Sequence, residues 1–119
     1  MSSSVSSFSN INPKITQLLT TFGYPVYHDN APEDGAYPMI QYTTLSDRPA
    51  LQADNRTVAR ETVIRVTLIN NTPAGREDWK NSLIDLMENA GFMWQNTSTV
   101  RDRNEYYTAV DFSAGEEKL

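Results

Sequence analysis

Cysteine is missing from all 119 residues, and histidine occurs once. The first absence excludes disulfides, iron–sulfur clusters, thiolate zinc sites and cysteine nucleophiles. The second leaves too few imidazoles for a multi-histidine metal site or a histidine-rich active site within one chain. Cations are scarce too: 10 Lys and Arg stand against 15 Asp and Glu, a net charge of −5. Such a chain lacks the cations with which a non-specific nucleic-acid binder displaces phosphate counterions. No apolar run approaches the ~20 residues of a membrane-spanning helix. The five glycines are scattered, so no Gly-rich phosphate loop can be read.

What is present suits one globular domain. The length is that of a single domain, able to bury roughly two-thirds of its unfolded surface. The hydrophobic share of 39% and charged share of 21% are slightly polar but not those of a disordered chain. Residues 1–11 stand apart as a flexible, Ser-rich arm, with six serines among the first ten residues and no secretory-signal pattern. That arm reads either as a loose end or as a segment that orders on a partner. The domain is expected over 12–114, and 115–119 as a frayed polar tail.

Within the domain, a helix is predicted over 13–22. Asn12 is placed as its cap, Pro13 in its first turn and Gly23 as its left-handed stop. Ile15, Leu18, Leu19 and Phe22 give it one apolar face. Residues 24–28 read as extended, 29–35 as a turn and 37–45 as a strand. The clearest strand is 58–69, where Ile64, Val66 and Leu68 alternate with Arg65 and Thr67. A second helix follows, with Thr72 as cap, Pro73 first, and Trp79, Leu83, Leu86, Met87 and Ala90 on one face up to Gly91. Two strands close the chain, from Phe92 to Val100 and from Tyr106 to Ser113. This order predicts an α+β fold: a mostly antiparallel, four- to five-stranded sheet with both helices packed on one face. The other face, bearing Thr, Arg, Gln and Tyr, is either wet or meets another subunit.

Residues 46–57 break the periodicity. Pro49 opposes a central strand there, and charges alternate through Asp47, Arg48, Asp54, Arg56, Arg60 and Glu61. The segment is expected to be a long loop, mobile in the free subunit and ordered on assembly. Opposite charges on one segment suit contacts with identical neighbours in a ring, though a solvated loop reads equally well. Arg48, Leu51, Asp54, Arg56 and Arg60 are the candidate interface residues, with Leu51 as the apolar anchor.

Catalytic constellations are hard to assemble from the rest. His28 sits in Tyr27-His28-Asp29 with no recognisable nucleophile, and a surface or structural role is expected for it. The carboxylate pairs Glu33/Asp34, Glu77/Asp78 and Glu116/Glu117 do not form a cation-binding array. The aromatics lack the basic groove of a base-stacking platform and suit core or interface packing. No catalytic, cofactor-binding or metal-binding residue is assigned.

One stretch is more distinctive. Val26-Tyr27-His28-Asp29-Asn30-Ala31-Pro32 leads into Tyr37-Pro38-Met39-Ile40-Gln41-Tyr42. A long strand from Val63 to Leu68, a helix ending at Gly91-Phe92 and a closing strand from Tyr106 to Phe112 follow. In this pattern, over about 12–113, the chain resembles the tail-terminator and tail-completion (head-to-tail joining) proteins of long-tailed bacteriophages. The resemblance implies an α+β virion subunit without active site or cofactor. It would assemble in the cytoplasm of the bacterial host as a homohexameric ring, cap the tail tube, end its polymerisation and join tail to head. Its partners would be its own copies, the tail-tube protein and the head connector, with no membrane and no direct nucleic-acid recognition. The alternatives are a head-completion or connector protein of the same particle and, in another class, a small cytoplasmic ligand-binding domain or carboxylate enzyme.

Overall fold

A computed structural model describes residues 10–32, 35–53 and 56–117. The fold is mixed α+β. In chain order it runs α1 (Asn12–Leu19), β1 (Val26–His28), β2 (Met39–Ala53), β3 (Arg56–Asn70), α2 (Arg76–Asn89), β4 (Met93–Asp102) and β5 (Glu105–Glu117), with a short 3₁₀ turn at Thr20–Phe22 after α1. The five strands form one sheet in the order β1-β2-β3-β5-β4. β1 pairs with β2 in parallel, and every other pairing is antiparallel.

Period-2 patterning sets the layers. Ile40 and Tyr42 on β2, Ile64, Val66 and Leu68 on β3, and Val110 and Phe112 on β5 share one face. They are buried in a single cluster with Ile15 and Leu19 of α1 and Leu83, Ile84 and Met87 of α2. At about 25 cal/mol per Å² of apolar surface, this cluster is the main source of stability. The helices also tie to each other: Trp79 takes edge-on contacts from Phe22 and Tyr24 (centroids 6.4 and 5.3 Å), and Lys14 Nζ donates to the Ala90 carbonyl at 3.1 Å. Leu86 is only half-buried, and Ile84, which the predicted stripe omitted, is buried in its place.

The helix ends differ from expectation in detail. Ile11, not Asn12, is the N-cap of α1; Asn10 Oδ1 accepts from the Asn12 N–H at 3.0 Å. The second helix begins at Arg76, three residues beyond the expected Pro73 start. Thr72 Oγ1 holds the Ala74 N–H in a preceding turn, and Gly75, at φ +74°, supplies the left-handed N-cap.

The largest correction concerns 46–57. It is not a loop: 46–53 lie in β2, 56 and 57 lie in β3, and the hairpin strands are 15 residues each. At roughly 3.3 Å per residue such a strand is about 50 Å long, which accounts for the 52 Å long axis of a molecule 26 by 23 Å across. Pro49 is tolerated because β1 covers only Ile40–Tyr42 of β2; beyond that β2 is an edge, and the register shifts between Pro49 and Leu51. The expected fray of 115–119 also gives way: Gly115 to Glu117 pair with Glu61 to Ala59. The Ser-rich arm lies outside the described residues up to position 9, as do Asp54, Lys118 and Leu119.

Candidate functional site

Past the helices, 46–53 of β2, 56–62 of β3 and 114–117 of β5 continue as a three-stranded arm. Strand pairing and ion pairs hold it more than a core does. Arg48 donates from Nε and Nη2 to Glu61 Oε1, at 3.0 and 2.8 Å. Arg60 reaches Glu116 Oε1 at 2.9 Å and Asp47 Oδ2 at 3.6 Å, and Thr62 Oγ1 donates to Asp47 Oδ1 at 3.1 Å. At the root of the arm, on the sheet face away from the helices, Arg65 grips both Asp111 oxygens at 2.8 and 3.1 Å. That fork-to-carboxylate bond is the leading cause of the raised Arg65 pKa.

The arm gathers four of the five residues singled out for an interface. Arg48 and Arg60, both expected at an interface with a neighbour, spend their charge inside the arm, on Glu61 and on Glu116 with Asp47. Their cross-strand spacing explains this: Arg48 lies opposite Glu61, and Arg60 opposite Glu116. Arg56 is exposed beside the tip, and Leu51 is 58% exposed. Asp54 lies outside the described residues.

A second cluster sits at the opposite end of the sheet. Asn30, Ala31 and Pro32 lie beside Met39 and Ile69, which are buried on the face away from the helices. There the Glu105 carboxylate accepts from the Tyr37 hydroxyl and, at 2.9 Å, from the Tyr107 hydroxyl. The Tyr37 bond, then the Tyr107 bond, hold Glu105 below its ordinary value, and the Glu105 bond in turn raises Tyr37. Burial first, and Glu105 second, push Tyr107 up to about 12. Beside this clasp lies a cavity of about 530 Å³ lined by Asn30, Pro32, Gln41, Arg103, Glu105 and Tyr107, among others. Sequence reasoning missed it, because Glu105 meets Tyr37 across 68 positions of chain and Glu105 itself sits in no motif.

His28 stacks on Tyr42 at 4.6 Å with planes 9° apart, and its Nε2 lies 3.6 Å from Asp29 Oδ1. Among the described residues no three His, Cys, Asp or Glu side chains gather as a metal site, and no helix is long and apolar enough to cross a membrane. The outermost strand, β4, was also undervalued: Met93, Trp94 and Val100 on it are 64, 49 and 58% exposed. No protein-family model and no curated protein matches the chain.

Proposed function

We propose that the chain is a structural assembly subunit: a phage tail-completion protein that closes the end of the tail tube as a ring, sixfold in symmetry by the resemblance, and presents the joined surface to the head.

 The single observation that supports this reading is the arm. It carries 46–53 of β2 and 56–62 of β3 past the helices, yet it has little apolar burial of its own: 44–53 of β2 are all exposed. A projection of that kind gains contacts only by reaching a surface outside its own domain. With Arg48 and Arg60 already paired, the arm meets its target as a nearly neutral surface, and Leu51 and Arg56 are the side chains left to engage it. The test uses tail-tube protein polymerising in vitro. Added chain should shorten the tubes and stand as a ring on their ends in electron micrographs, and a variant lacking 48–61 should do neither. Tubes of unaltered length with bare ends overturn the reading.

A second reading, a small ligand-binding domain, is favoured by the cavity beside Glu105. It expects a compound that protects Arg103 and Tyr107 from chemical modification without any tube protein present.

A further inference from the structure

The two long edges of the sheet are built differently. The outer edge of β2 beyond Tyr42 carries Asp47, Arg48 and Pro49 and is interrupted by three register shifts. These are the devices by which natural sheets discourage further pairing. β4 forms the other edge, ten residues long, and is less guarded: it holds no proline, its charges are confined to Arg101 and Asp102 at one end, and it has a single register shift. Met93 to Val100 contain no proline and no ionisable side chain, and nine of the ten strand residues are exposed. Three large apolar side chains, Met93, Trp94 and Val100, stand out along it. The one shift on this strand, between Trp94 and Asn96, is made against β5, as the three of β2 are made against β3, and 96–102 run on without another.

We infer that β4 is the seam of a two-fold dimer, in which it pairs antiparallel with β4 of a second copy and joins two sheets into one of ten strands. Three observations select a second copy as the occupant. An antiparallel edge satisfies its own hydrogen-bonding pattern about a two-fold axis, so no separate partner strand is required. The chain carries a net charge of −5, with Glu77, Asp78, Asp85 and Glu88 on α2; two copies therefore approach best along an uncharged line, and Met93–Val100 is one. The only charges on the strand, Arg101 and Asp102, lie at one end. Antiparallel pairing sets the two Arg101-Asp102 ends apart, each beside the uncharged Trp94 end of the other copy, so that no like charges meet along the seam, while Arg101 keeps its place 5.5 Å over the Tyr106 ring of its own chain. The seam is roughly 33 Å long, which places it among small interfaces, so a dimer of micromolar strength is expected. This inference stands apart from the ring: it concerns the purified chain alone, without tube protein.

The chain has no cysteine, so a single introduced thiol reports on one position. Analytical ultracentrifugation of the unaltered protein should give a monomer–dimer equilibrium with a micromolar Kd. Ser98→Lys with Val100→Lys, both at exposed positions, should weaken it at least tenfold while circular dichroism and Tm stay unchanged. Ser98→Cys should cross-link copy to copy on oxidation, and Leu51→Cys in the arm should not. A monomer at 100-fold above that concentration overturns the inference. So does a dimer that survives both lysines, or one that cross-links through Leu51→Cys instead. Closed species larger than a dimer that join Ser98→Cys to a thiol on the β2 edge would replace the two-fold seam with a head-to-tail one.

Discussion

The body and the arm share three strands but are held by different forces. In the body, β2, β3 and β5 turn Tyr42, Val66 and Val110 toward two helices, and each is 2% exposed or less. In the arm the same strands run on without helices above them, and the positions that would face a core hold Asp47, Arg60 and Glu116. The β3–β5 ladder runs unbroken from one region to the other, and the β2–β3 pairing carries on through three register shifts. What changes is whether the strands exclude water from an apolar layer. Strand pairing alone is a weak source of stability, because a hydrogen bond gained within the protein replaces one made to water. The comparison teaches that one pair of strands can be rigid at its root and easily opened toward its tip.

The largest effect is expected where the body depends on burial. Phe112 is fully buried between the sheet and the helices. Phe112→Ala should cost about 3–5 kcal/mol, through lost transfer energy and the cavity left behind. Leu86→Ala, at a half-buried position, should cost clearly less than Leu83→Ala on the same helix. Urea unfolding measures all three. Equal losses at Leu83 and Leu86 would contradict the helix orientation described above.

Much of the body was legible in the sequence because burial leaves a periodic trace. Ile64, Val66 and Leu68 announce β3, and Ile15, Leu18, Leu19 and Phe22 announce α1. The arm left no such trace. Neither of its faces is packed on a helix, so 46–57 have no period to read, and Pro49 argued for a loop where it marks an edge strand. The ion pairs that do pattern the arm depend on register across strands, Arg48 to Glu61 and Arg60 to Glu116, which spacing along one strand does not reveal. The start of α2 was misplaced for a local reason: Thr72 and Pro73 are good helix-initiating residues, but they build the turn that precedes Gly75. Glu105 was invisible because Tyr37, its distant partner, is brought to it by the fold, and Tyr107, two residues along the same strand, reads only as one more strand aromatic.

A second prediction separates the body's polar end from its core. Glu105 has a pKa lowered in the folded state, chiefly by the Tyr37 hydroxyl. A lowered carboxylate contributes stability above its unfolded pKa, and that contribution disappears as pH falls through the folded one. Glu105→Gln should therefore flatten the acid side of the stability profile measured by urea unfolding between pH 7 and 3. On the alkaline side the sign reverses. Tyr37 and Tyr107, both raised, contribute below the unfolded tyrosine value near 10, and the contribution is lost as pH rises past their folded values, about 12 for Tyr107. Because Glu105 is the leading cause at Tyr37 but burial leads at Tyr107, Glu105→Gln should bring Tyr37 back further than Tyr107. Phenolate absorbance during an alkaline titration of Tyr37→Phe and Tyr107→Phe variants separates the two. A Tyr107 that returns fully to its ordinary value in Glu105→Gln would show that the carboxylate, not burial, controls it.

The smallest effect on global stability, and the sharpest on the comparison, belongs to the arm. Arg48 and Glu61 are an exposed pair, with side chains 70 and 37% accessible. Exposed pairs contribute about 0–1 kcal/mol, so Arg48→Ala should barely move the unfolding midpoint. Its consequence should instead be local. Opening the arm exposes almost no apolar surface, so its amides should exchange through fraying of the tip rather than through global unfolding. Amides of 47–53 and 57–61 should then exchange faster than those of Ile64, Val66 and Leu68 on the same strand pair, and Arg48→Ala should widen that gap. Salt gives an independent check: at 1 M the Debye length falls to about 3 Å, which weakens pairs as exposed as Arg48–Glu61 and leaves apolar burial intact. Exchange in the arm should accelerate with salt while exchange at Val66 holds steady. Uniform protection along β2 and β3, indifferent to both salt and Arg48→Ala, would mean that arm and body open as one unit and that the contrast between them is one of shape alone.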